Sequence, residues 1–111
     1  MWFCGKDGFL SIVEKDCAAD ELLVRARVKA HIEAYFPAAT IERTPGAHRD
    51  YLYRAKVKRT EVAERMAAYV MDELNADNFK NSVTDMKLHT AYMGVWHVMA
   101  RMQEVPPYSG G

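Results

Sequence analysis

Six basic side chains recur at alternate positions in two short stretches, Arg25, Arg27 and Lys29 in the first and Arg54, Lys56 and Lys58 in the second. Successive side chains of an extended chain point to opposite faces, so each trio would project from one side of a strand. Lysines and arginines arranged in this way can each neutralise a phosphate, and such binding weakens as salt rises. No acidic residue interrupts either trio. The competing reading is a solvated face whose charges are paired by neighbouring strands, with Glu14 and Glu42 the expected partners. The same alternation assigns Tyr51 and Tyr53 to the opposite side, so aromatic rings for stacking bases are not expected beside the cations.

Other reactive residue types are scattered. His89, Met93 and His97 are four residues apart and would lie along one side of a helix. Eight residues at a helical rise separate the two histidines by about 12 Å, beyond the reach of one ion, so no metal site and no cofactor are expected. His31 and His48 lie in unrelated segments, and His48-Arg49-Asp50 reads as loop polarity. Cys4 and Cys17 are too widely spaced for a Cys-x-x-Cys pair and too few for a disulfide framework. With no nucleophile motif, phosphate-cradling glycine loop or paired-carboxylate signature, no catalytic residue and no enzyme are expected.

The elements that must position these residues follow from the apolar pattern. Trp2 to Cys4 and Phe9 to Val13 flank Gly5-Lys6-Asp7-Gly8, a hairpin signal in which glycine would supply positive φ. Leu22 to Val28 alternates as a half-buried strand. Lys29 to Phe36 suits a two-turn helix that Pro37 stops. A weak strand around Ile41 and turn chemistry from Thr44 to Asp50 lead into a second alternating strand, Tyr51 to Lys58. Thr60 is the expected N-cap of the next helix, whose stripe would be Val62, Ala63, Met66, Ala67, Val70 and Leu74. A short irregular or single-turn connection over 79–84 precedes a last helix over 85–103. Its wide apolar face, Leu88, Tyr92, Val95, Trp96, Met99 and Met102, predicts heavy burial, with Tyr92, Trp96, Met99 and Met102 also candidates for a partner interface.

The residues 22–29 and 51–58 match at five of eight positions, with Arg27 against Lys56 a sixth, similar one. Each stretch is followed by a helical run and preceded by a weaker strand. The simplest architecture is α+β: an antiparallel sheet built from two β-β-α units in ferredoxin-like layering, helices on one face, and an extra C-terminal helix. Leu22, Val24, Ala26 and Val28 with Tyr51, Tyr53, Ala55 and Val57 would then point at the helices. The chain has 111 residues, half of them apolar, and its 15 basic and 15 acidic side chains cancel. That composition fits one globular domain, expected over 1–104 with a disordered tail over 105–111, and excludes a generally basic nucleic-acid coat. No apolar run is long enough to span a bilayer, so no membrane partner and a cytoplasmic location are expected.

Several stretches resemble a family of short, functionally uncharacterised bacterial and phage-borne proteins: Met1-Trp2, Asp7-Gly8-Phe9, residues 22–28, Tyr53-Arg54-Ala55, Asn78-Phe79-Lys80, and Ala91-Tyr92 with Val95-Trp96. The resemblance implies a compact intracellular accessory protein of mobile-element origin and transfers no activity. The expected function is a non-enzymatic protein-interaction module, an accessory or inhibitor acting on a host assembly, with a protein partner or self-association. The alternative is nucleic-acid or other polyanion binding through the basic sheet face.

Overall fold

A computed structural model describes residues 1–45, 50–75, 77–105 and 107. The chain divides into two compact units, Met1–Asn75 and Ala76–Gly111. The first holds strands β1 (Trp2–Gly5), β2 (Gly8–Val13) and β3 (Glu21–Ala26), helix α1 (Lys29–Tyr35), strands β4 (Glu42–Arg43) and β5 (Tyr53–Lys58), and helix α2 (Arg59–Ala68), which continues as a π-helical turn over Tyr69–Glu73. The strands form one sheet in the order β1-β2-β3-β5-β4, with every neighbouring pair antiparallel. The fold class is therefore α+β, as the alternation predicts.

One face of the sheet meets the helices. Leu10, Ile12, Val24, Ala26, Ala55 and Val57 pack with Ile32, Tyr35 and Phe36 of the α1 region and with Val62 and Tyr69, while Leu22 and Tyr53 adjoin this core. The predicted inward parity of β3 and β5 thus holds through the strands themselves. It fails at their ends, where the pleat stops: Val28 is exposed, and Lys29 is the first residue of α1 and no part of a strand.

Tyr35 closes the hairpin end of this unit. Its ring meets Phe3 and Tyr69 edge-on at centroid distances of 5.0 and 6.0 Å, and its Oη accepts the Asp7 N–H at 2.9 Å. Tyr69 Oη accepts the adjacent Lys6 N–H at 3.1 Å. The glycines flanking this turn are needed for close approach and not, as the turn signal predicts, for positive φ: a Cβ on Gly5 would lie 2.1 Å from Tyr35 Oη, and one on Gly8 2.7 Å from His31 Cβ. Among the described non-glycine residues only Asp16 has a positive φ, a conformation aspartate tolerates because its short side chain bonds locally.

Helix α2 departs from its predicted start and face. The helix begins at Arg59 with no side-chain cap, because β5 runs straight into it and the Arg59 N–H is taken by the Asp20 carbonyl at 2.7 Å. Thr60 is therefore inside the helix. The buried face is Val62 and Tyr69 with Met66 beside them, whereas Val70 and Leu74 are each 58% exposed. Tyr69 takes the place that the stripe assigns to Val70 because its ring fits against Phe3 and its hydroxyl reaches the hairpin. Arg65 secures the turn that follows, ion-pairing with Glu73 at 2.5 Å and donating to the Tyr35 carbonyl at 3.0 Å.

Burial pushes the Tyr35 phenol well above its ordinary range. The unfolded chain ionises this tyrosine at about pH 10 while the folded protein keeps the proton. Its contribution is full below that pH and is lost above it, at up to about 1.4 kcal/mol per pH unit. Urea denaturation at rising alkaline pH should show this fall, and Tyr35→Phe should make it shallower; equal slopes would count against the assignment.

The second unit contains α3 (Phe79–Ser82), capped by the Asn78 side chain, and α4 (Met86–Ala100), whose Asp85 carboxylate accepts the N–H groups of Lys87 and Leu88 at 2.9 and 3.1 Å. Two acceptor bonds from one carboxylate explain why the helix starts there. Heavy burial of α4 is not observed. Leu88 and Tyr92 are buried, but Val95, Trp96, Met99 and Met102 are 45%, 43%, 56% and 78% exposed. Of the candidate interface residues, Tyr92 is thus core, in ring contact with Phe79 at 5.3 Å, and the other three face solvent. No described helix is long and apolar enough to cross a membrane. The turn read at Gly46 to Arg49, including His48, and the tail at Pro106 and 108–111 lie outside the described residues.

Candidate functional site

The sheet face opposite α1 and α2 carries the basic residues. Register places Trp2, Ser11, Arg25, Arg54 and Glu42 in one row across all five strands, with Cys4 and Phe9 in the row toward the hairpin and Val13, Leu23 and Lys56 in the row on the other side. Strands about 4.8 Å apart put Arg25 and Arg54 directly side by side. Like charges placed in this way repel, so an unfilled pair of this kind disfavours the sheet.

Arg25 and Arg27 are both held against aromatic rings. Arg25 donates to Ser11 Oγ at 2.7 Å and lies 4.7 Å over the Tyr51 ring, and Arg27 lies 4.4 Å over the same ring and 5.8 Å over Phe9. These separations are within cation–π range. Tyr51 is 6% exposed beneath the guanidiniums, which corrects its assignment to the helix side. It precedes β5, so the alternation that orients Tyr53 does not reach it. The Nε atoms of Arg25 and Arg54 are both buried without a hydrogen-bond partner.

Ion pairing is sparse. Among the described residues Lys58 pairs with Asp20 at 2.5 Å, and that bond holds the Asp20 carboxyl below its ordinary range. Glu14 pairs with Arg59 and not with a face residue, and Glu42, although opposite Arg54, forms no ion pair with it. The expected neutralisation by Glu14 and Glu42 is therefore absent from the described residues, and Arg25, Arg27, Arg54 and Lys56 keep their charge uncompensated. Lys29, the sixth predicted residue, is exposed at the start of α1 and outside these rows.

A cleft of about 310 Å³ opens beside Arg54 and Lys56, with Leu23 buried on its lining and Asp16, Thr40 and Glu42 around it. Its mixed charges make this edge less cationic than the surface around Arg25 and Arg27.

Alternation within residues 22–28 and 51–58 does not reveal the aromatic half of the face. Trp2, 74% exposed, meets Phe9 edge-on at 6.0 Å, and Phe9 in turn lies under Arg27 at 5.8 Å. The signal was available in the hairpin: Gly5 to Gly8 as a two-residue turn pairs Cys4 with Phe9 and Trp2 with Ser11, which places all four on one side.

The fold and this face define an α+β protein with a cationic, aromatic-edged sheet surface. No known protein family, curated protein or solved structure matches the chain.

Proposed function

We propose that this sheet face binds a polyanion, with nucleic acid the class that its chemistry fits. The observation that carries the reading is the Arg25–Arg54 pair: two guanidiniums on directly opposed positions, each with a buried Nε donor unused and no carboxylate paired to either among the described residues. A buried donor left unpaired costs about 1–3 kcal/mol. A phosphate between the two arginines relieves the repulsion, and the planar guanidinium fork suits that geometry through its outer N–H groups. Arg27 and Lys56 extend the path on either side. Net neutrality of the whole chain does not oppose this, because short-range contacts depend on the local charge.

Binding of a labelled oligonucleotide measured across a salt series tests the reading. With four to six phosphates engaged, log K should fall against log salt with a slope of about −3 to −4, since each neutralised single-strand phosphate contributes about 0.7. No binding even at low salt would exclude it.

A second reading, a protein-interaction module, is favoured by the exposed Trp96 and Met99 on α4 and Met102 just beyond its end. Tryptophan and methionine are enriched at protein contacts. Light scattering over a concentration series and capture from lysate with wild type and Trp96→Ser address it; a strict monomer that recovers no partner counts against it.

A further inference from the structure

We infer that the face selects single-stranded over double-stranded nucleic acid, with Trp2 as a base-stacking platform. The inference rests on the polyanion reading and adds to it the aromatic half of the same surface. Across the sheet the two halves differ in chemistry: β3 and β5 supply Arg25, Arg54 and Lys56, whereas β1 and β2 supply Trp2 and Phe9. Trp2 and Arg25 share one cross-strand row, two strand spacings or about 10 Å apart. That is the arrangement in which a backbone tracks the cations while its unpaired bases reach sideways to the rings.

Exposure selects the residue. Trp2 is 74% exposed although it lies within a paired strand. Its only ring contact among the described residues is the edge-type one with Phe9 at 6.0 Å, which covers at most one of the two faces of the indole. Phe9 is half-covered by Arg27, so it steadies Trp2 and does not offer a face of its own. A duplex keeps its bases stacked on one another and presents only phosphates and groove edges, to which an indole on a sheet adds little. Single strands offer free π-faces that stack without regard to base identity, so sequence preference should be weak.

The test compares wild type, Trp2→Ala and Trp2→Phe with two probes at low salt, an oligothymidine of about twelve nucleotides and a duplex of similar length, by fluorescence polarisation. Wild type should bind the single strand at least about tenfold more tightly than the duplex. Trp2→Ala should lose between about fivefold and a hundredfold on the single strand, the range measured for base-stacking aromatics. It should leave duplex binding unchanged, and Trp2→Phe should recover most of the loss. The chain has two tryptophans, so in a Trp96→Phe background the emission of Trp2 should quench as oligothymidine binds. Circular dichroism confirms that Trp2→Ala stays folded, which its exposure predicts. Single-strand affinity unchanged in Trp2→Ala, or preference for the duplex, overturns the inference while leaving a polyanion surface intact. Absence of binding to either probe overturns both.

Discussion

Tyr35→Ala is expected to cost about 3–5 kcal/mol of folding stability, measured by urea denaturation, the range typical of an aromatic truncated in a well-packed core. Tyr35 is 1% exposed and joins three parts of the first unit. Its ring packs against Phe3 from β1 and Tyr69 from the π-helical turn, its hydroxyl accepts the Asp7 N–H, and its carbonyl receives Arg65. Removing the ring opens a cavity under the hairpin and leaves the Asp7 amide without its acceptor. Gly5 shows how closely the ring is packed, because a Cβ there would lie 2.1 Å from Tyr35 Oη. Total stability for a domain of this size is about 5–15 kcal/mol, so the loss is a large fraction of it. Tyr35→Phe isolates the hydroxyl and should cost about 1 kcal/mol. A loss below about 1 kcal/mol for alanine would mean that the cluster does not carry the stability assigned to it.

The second large effect is on binding. Arg25→Glu with Arg54→Glu should abolish detectable oligonucleotide binding at salt near physiological strength. The two reversals remove two phosphate contacts and install two repulsions, and the salt slope should shrink by about 1.4 at minimum. The neutral pair Arg25→Gln with Arg54→Gln separates charge from folding. It should weaken binding by a smaller factor while leaving stability unchanged or slightly raised, because relief of the cross-strand repulsion between opposed arginines offsets the loss of the Arg25 bond to Ser11 Oγ and of its contact with the Tyr51 ring. Binding that survives both double variants would remove these residues from the site; a Gln pair that unfolds would show instead that the arginines hold the sheet together.

The opposite signs expected for binding and stability follow from placement. A residue selected for packing has its polar atoms satisfied, as Arg65 does through Glu73 and the Tyr35 carbonyl. Arg25 and Arg54 instead lie opposite each other, each with its Nε donor unused.

Much of the first unit was legible in the residues themselves. The inward set Leu22, Val24, Ala26, Tyr53, Ala55 and Val57 and the outward set Arg25, Arg54, Lys56 and Lys58 follow from an alternation of period two, a property of the extended backbone that needs no partner. Pro37 marks the end of α1 for an equally local reason, since it lacks an N–H and blocks a preceding helical conformation. The hairpin around Lys6-Asp7 also belongs to this class, though its glycines act through contact with Tyr35 and His31 and not through φ.

Tertiary structure decided what local pattern cannot encode. Helix α2 could turn several apolar faces inward, and the choice of Val62 and Tyr69 over Val70 and Leu74 depended on the ring of Phe3 and the amide of Lys6, both more than sixty residues away along the chain. Tyr51 lay beyond the reach of strand alternation and found its place under Arg25 and Arg27. Above all, periodicity orients side chains within a strand but says nothing of which strands become neighbours. The order β1-β2-β3-β5-β4 put Arg25 against Arg54 and brought Trp2 and Phe9 onto the same surface, so the basic stretches and the aromatic hairpin became one face only when the sheet closed over its core.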